Sequence, residues 1–171
     1  MFATNTTTSQ QEAVIEFQDA LSTKFWDTLR LRLRGKPTQL LDFEQVRNQL
    51  RLREQHPVGV QEVPLNHIIG SVGRSSEFTR SFLPKREEMR DRWSRVFQLA
   101  TTVAGLEPVE LYKICEAYFV IDGNHRVSVA YRLHARAIEA RVIEWESPVC
   151  LSPDTSPADL DAYAIQGAQD K

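Results

Sequence analysis

The stretch Tyr118-Phe119-Val120-Ile121-Asp122-Gly123-Asn124-His125-Arg126-Val127-Ser128-Val129-Ala130 decides how the chain folds, because it reads as a strand, a glycine turn and a helix start. Tyr118 to Ile121 are all aromatic or β-branched, the composition of a buried strand. Asp122-Gly123 stops that strand by supplying a turn. Val127, Ala130, Tyr131 and Leu133 then fall roughly on one helical face, which makes Asn124 the expected cap and puts His125 and Arg126 in the first turn. Unpaired backbone N–H groups and the positive end of the helix dipole point outward at such a start. An arginine beside them can grip a phosphate through two parallel hydrogen bonds. The expectation is a phosphate site in which Gly123 allows close backbone approach, Asn124 and His125 contribute contacts, and Arg126 neutralises charge from the surface.

The rest of the chain fits a domain built around this unit. Its 171 residues allow one ordinary core with appendages rather than two independent domains. Hydrophobic content of 42%, charged content of 26% and a net charge of −2 exclude a bulk electrostatic attraction to nucleic acid. Cys115 and Cys150 are far apart and lack metal-ligand spacing, and nothing at the N-terminus combines basic residues with an apolar run. A reduced, cytoplasmic setting is therefore expected. No apolar run approaches the ~20 residues needed to span a bilayer.

Working outward, Val14, Phe17, Leu21, Phe25, Thr28 and Leu29 recur at helical steps and predict an amphipathic helix from Gln10 to about Arg34, ended by Gly35 and Pro37. A second helix starts near Asp42 and runs toward Arg53. Arg30, Arg32, Arg34 and Lys36 crowd the end of the first helix, with Arg47, Arg51 and Arg53 downstream; this reads as a solvated face or as a surface for an acidic partner. Residues 58–64 predict a strand, 86–104 a helix carrying Met89, Trp93, Val96 and Phe97 on one side, 109–115 a strand paired with 118–121, and 138–145 a last strand with alternating burial. The set Trp93, Phe97, Phe82 and Trp145 reads as core. The order β, loop, α, β, β, α, β predicts an α+β fold: a small mixed β-sheet flanked by helices (58–146), an N-terminal helical extension (1–57), and a tail (147–171) with one short helix.

The run Asp122 to Arg126, followed by Val-Ser-Val-Ala, resembles the signature of the ParB/sulfiredoxin superfamily, in which a glycine, two variable positions and an arginine open a helix over a nucleotide's phosphates. The resemblance covers roughly residues 58–146. Sulfiredoxins carry a reactive cysteine between the glycine and His-Arg; that position is Asn124 here, so sulfiredoxin activity is not expected. The resemblance implies a ParB-like module that binds a nucleoside triphosphate and lacks a DNA-reading helix-turn-helix, since only 25 residues follow Glu146. An alternative is a phosphotransferase similar to the free serine kinases, in which Asp122 and His125 act in catalysis; its base is unassigned, with Glu62 and Glu77 in plausible segments. A third reading is an interaction protein with a vestigial pocket. The implied ligand is CTP, ATP or ADP, with Mg2+, although no metal ligands can be assigned. The segment Gly73-Arg74 to Phe82 loosely resembles the arginine-bearing segment of ParB-like domains, making Arg74 and Arg80 further phosphate ligands, helped by Ser71 and Thr79. A protein partner is expected through the N-terminal helices, and direct DNA binding is disfavoured.

Overall fold

The computed structural model of the chain describes residues 3–102 and 105–169. Helix α1 (Ala3–Leu33) is followed by strand β1 (Leu41–Asp42), α2 (Phe43–Leu50), β2 (Gln55–Pro64) and β3 (Ile68–Ser71). Then come α3 (Arg90–Ala100), β4 (Val109–Ile114), β5 (Ala117–Asp122), α4 (Asn124–Arg132), β6 (Ala137–Trp145) and α5 (Pro157–Gln169). The six strands form one mixed sheet in the order β1-β3-β5-β4-β6-β2. Strands β1, β3 and β5 run parallel, β4 returns antiparallel to β5, β6 lies parallel to β4, and β2 closes the far edge antiparallel to β6. This is the α+β class that the element order predicts.

Alternation along β5 divides the interior. Tyr118 and Val120 face one side with Phe17, Trp93, Val109, Leu111 and Val127; Ala117 and Phe119 face the other with Phe43, Ile69, Trp145, Leu151 and Leu160. Helices α1, α3 and α4 cover the first face, and α2 and α5 the second. Trp93 anchors the first layer, meeting Phe17 edge-on at 5.7 Å and Phe97 in a stack at 5.4 Å while its indole N–H donates to Ser128 Oγ at 2.9 Å. Phe43 centres the second layer against Tyr112, Phe119 and Trp145. Both layers need strands that lie close. At Gly70 a Cβ would sit 2.3 Å from Phe119 Cδ1 and 2.5 Å from the Leu41 carbonyl oxygen, so only glycine lets β3 fit between β1 and β5.

Several features depart from the sequence reading, beginning with α1, which starts at Ala3 rather than Gln10, and β3, a strand over Ile68–Ser71 absent from that reading. Residues 41–42, assigned to the helical extension, form a sheet strand, because the chain entering α2 runs alongside β3 and pairs with it. Asp42 does cap α2, its Oδ1 accepting from the backbone N–H groups of Glu44 and Gln45. The helix predicted over 86–104 begins its α-helical part only at Arg90, after a single 3-10 turn; residues 103 and 104 lie outside the described residues. Most consequentially, Cys115 and Cys150 are joined as a disulfide with their Cα atoms 5.3 Å apart. The β4–β5 turn, where Cys115 takes a left-handed φ of 55°, brings it against the tail, and the Glu116 N–H donates to the Leu151 carbonyl at 3.2 Å. The argument for a reducing compartment rested on two free thiols and falls with them. No helix among the described residues is long and apolar enough to cross a membrane.

The bridge closes a segment of 35 residues. Loop-closure entropy for that length corresponds to about 3–4 kcal/mol. Reduction with a dithiol, or Cys150→Ser, should lower the unfolding free energy from a two-state urea melt by that amount, with a matching fall in the midpoint, and a midpoint unmoved by reduction would show that the bridge contributes no stability.

Candidate phosphate-binding cleft

Strand β5 ends at Asp122 and α4 begins at Asn124, with Gly123 between them at φ 106°. The conformation is left-handed, and a Cβ on Gly123 would meet Val109 Cγ1 at 2.6 Å. Gly123, not Asn124, is the N-cap. It has no side chain to offer, and the turn's own hydrogen bond is the Val127 N–H to the Gly123 carbonyl at 3.0 Å. The N–H groups of Asn124, His125 and Arg126 therefore precede the first helical hydrogen bond and receive no side-chain cap. They open onto a cleft of about 120 Å³ lined by Arg74, Arg92, Val96, Ile121 and residues 122–126.

The side chains predicted for this site divide into three groups. Arg74 and His125 line the cleft as expected, and Arg92 joins them. His125 is 6% exposed, stands edge-on to Phe78 at 5.5 Å, and has a buried Nδ1 with no hydrogen-bond partner. Burial, and then the positive charges of Arg92 and Arg74, push its pKa down to about 4, so the ring is neutral at physiological pH. Arg74 is half-exposed and leans on Glu77 at 3.4 Å. Arg92 is exposed on the first turn of α3 and makes no ion pair among the described residues.

A second group lines the cleft while its polar groups are spent on the protein. Arg126 is turned inward: Nη1 donates to the Glu107 and Pro108 carbonyls at 3.0 and 2.8 Å, and Nη2 donates to Asp122 Oδ2 at 2.6 Å. Its side chain is 18% exposed. Three of its five N–H donors are thus occupied, and it braces the helix start against the chain entering β4 instead of standing free as a surface counter-charge. Asp122 is the other half of that pair, so the carboxylate expected to act in catalysis is engaged. The Asn124 side chain is buried, with Oδ1 accepting from Ser71 Oγ at 2.8 Å, and only its backbone N–H faces the role predicted for it.

A third group lies elsewhere. Arg80 is 8% exposed and donates to four carbonyls, of Gln39, Ile69, Pro153 and Thr155, at 2.8 to 3.2 Å. Burial lowers its pKa to about 10, still charged at neutral pH. It is an internal tie between β3, the segment before β1 and the tail, not a phosphate ligand. Thr79 Oγ1 accepts from the Leu83 N–H within the same loop. Glu62 sits on β2, separated from β5 by β4 and β6, and Glu77 stands beside Arg74. Sequence reasoning missed Arg92. It is one exposed arginine among several on a helix, and no motif marks it; only its position, one residue before the buried Trp93, places it over the cleft.

With that geometry in view, the chain can be set beside known proteins. No family model matches it, and no curated protein does. Among solved structures, the crystal structure of sulfiredoxin from Arabidopsis thaliana is similar, with a TM-score of 0.38 and 12% identity over 61% of this chain and 94% of that one.

The residues present fit an anion and not a divalent cation. Bare helix N–H groups, two arginines and a partnerless imidazole are donors and positive charge. Among the described residues no group of three His, Cys, Asp or Glu could hold a metal, and Asp122 is already neutralised by Arg126.

Two outcomes test these assignments. Arg80→Met should destabilise the fold by roughly 3–5 kcal/mol in chemical denaturation, because four buried carbonyls lose their donor; a loss within experimental error would show the tie to be dispensable. For His125 the unfolded chain binds the proton at the ordinary pKa of 6.5 and the folded chain only near 4. Stability is then fully present above pH 6.5 and is lost as pH falls through 4, by up to roughly 3 kcal/mol. His125→Gln should flatten that slope, and a slope equal to the parent's would exclude His125 as its source.

Proposed function

We propose that the chain is a binding module for a phosphorylated small molecule, a nucleotide in the first instance, gripped by a terminal phosphate at the start of α4. The observation that carries this reading is the bare first turn of α4 opening between Arg74 and Arg92, beside a buried imidazole that has no partner. Phosphate oxygens would accept from the N–H groups of residues 124–126, while the two guanidinium groups supply the charge and His125 offers one more N–H. The cleft's volume of about 120 Å³ is well below the usual ~300 Å³ and upward of a pocket that encloses a whole ligand. It suits a phosphate group with the remainder of the molecule outside.

Space for that remainder lies across the loop that carries Arg74. Its next residues, Ser75 and Ser76, line a broader cleft of about 840 Å³ with Asp42, Gln45, Asn48 and Gln49. Asp161 and Lys85 add to its polar lining, and these amides, hydroxyls and charged groups are suited to a sugar and a base. Binding is favoured over phosphoryl transfer because the Asp122 carboxylate is held by Arg126, and burial, which brings the His125 pKa down to about 4, makes its neutral ring a weak base. This is the regulatory, ParB-like reading rather than the kinase one.

The test is a thermal-shift and calorimetric panel of inorganic phosphate, pyrophosphate, ADP, ATP and CTP in chloride buffer. Ligand at ~100 times its dissociation constant should stabilise the fold by about 2.7 kcal/mol. Arg92→Ala should weaken binding about tenfold or more without moving the melting temperature of the free protein, whereas Arg126→Ala should lower that temperature itself. If no phosphate compound shifts the melt at millimolar concentration, the module reading is wrong.

A further inference from the structure

Helix α1 carries apolar residues on two opposite faces. Ala13, Phe17 and Ala20 are buried against α3 and the sheet. Trp26, Leu29 and Leu33, at i, i+3 and i+7, lie on the other side together with Ile15, three turns earlier, and they are open to solvent: Trp26 is 67% exposed, Ile15 66% and Leu33 81%. Part of the single apolar stripe predicted from the sequence thus faces water, with Phe25 65% exposed beside Trp26. An isolated exposed leucine is ordinary, but four large residues along one seam of a long helix are the pattern of a helix that has a second neighbour.

The charges beside that seam say which neighbour. Glu12, Glu16 and Asp19 line one flank in the first half of the helix, and Arg30 and Arg34 line the same flank at its end. Turned end for end, this flank is complementary to itself. We propose that α1 pairs with α1 of a second copy of the chain, antiparallel and across a two-fold axis near the middle of the helix.

In that register Ile15 lies opposite the partner's Leu33, and Ser22 lies opposite the partner's Trp26. Ser22 is small and its hydroxyl is turned back onto the Asp19 carbonyl at 2.9 Å, so it leaves room for the indole. The acidic half of the flank then faces the basic half of its copy, since equivalent flanks meet in an antiparallel pair. Glu16 and Asp19 also hold Arg132 within their own chain, whereas Glu12, Arg30 and Arg34 have no ion pair among the described residues. A parallel pair would set this flank against the opposite flank of its copy, which carries Val14, Leu21 and Phe25, and would leave the acidic and basic halves without partners. The seam lies opposite the face packed on α3, and two copies meet there back to back without touching the phosphate cleft.

The experiment is sedimentation velocity of the full chain over low to high micromolar concentration, with circular dichroism melts as a control for folding. The parent should reach the mass of a dimer. Trp26→Glu with Leu33→Glu should remain monomeric over the same range with its melt retained. Arg34→Glu should raise the dimer dissociation constant roughly five- to tenfold, and adding Glu12→Lys to it should restore affinity by recreating the pair in reversed sense. A monomeric parent, or a dimer that survives Trp26→Glu with Leu33→Glu, overturns the proposal. A double charge variant that binds no better than Arg34→Glu overturns the antiparallel register.

Discussion

The turn at Gly123 is the constraint from which the rest of this structure follows. A strand that ends beneath Val109 and a helix that starts immediately above it can be joined only by a residue with left-handed φ and no Cβ. That choice removes the side chain that would otherwise cap the helix, so the same residue that makes the connection possible leaves the first N–H groups bare. Arg126 then fixes the angle of departure by holding the Glu107 and Pro108 carbonyls, and Asp122 neutralises the guanidinium on its open side. Rigidity at the base of the cleft and unfilled donors at its floor have a single origin.

The two core layers support that turn from either side. Val120 and Val127 bind its strand and helix to the first layer, while Phe119 locks the strand into the second by filling the space above Gly70. Trp93 joins α3 to α4 through the bond to Ser128, which fixes the helix that carries Arg92 relative to the helix start it faces. Arg92 itself remains exposed, as does much of Arg74. The cleft therefore has a packed floor and two guanidinium groups at its rim, Arg92 exposed and Arg74 beside Glu77.

Elements with a local cause were legible in the sequence. Period-two alternation marks β6, the Asp-Gly punctuation marks the end of β5, and Asp42 announces α2 because its carboxylate has one obvious use there. What was not legible depends on contacts between distant residues. Arg74 and Arg80 look alike in a loop six positions apart, yet one lines the cleft and the other is buried among four carbonyls supplied by three other segments. Cys115 and Cys150 carry no sign of each other until the β4–β5 turn and the tail are brought together. The pairing of Arg126 was hidden for a different reason: an arginine at a helix start suits a phosphate and a neighbouring carboxylate equally well, and Asp122 is four residues away on the same face.

The tail shows how these distant contacts cooperate. The disulfide holds residue 150, Leu151 fills the second core layer, and Arg80 holds the carbonyls of Pro153 and Thr155. Each alone would fix one point of a segment with little secondary structure. Together they fix three successive points, so that α5 leaves in a defined direction and lays Leu160 against the layer around Phe43. The wall of the broad cleft formed by Pro157, Leu160 and Asp161 is set by that direction, with Asp161 held by Gln49 at 3.0 Å. A buried arginine that touches no ligand thus shapes the space beside the phosphate cleft. Its effect on that space passes through the geometry of the tail.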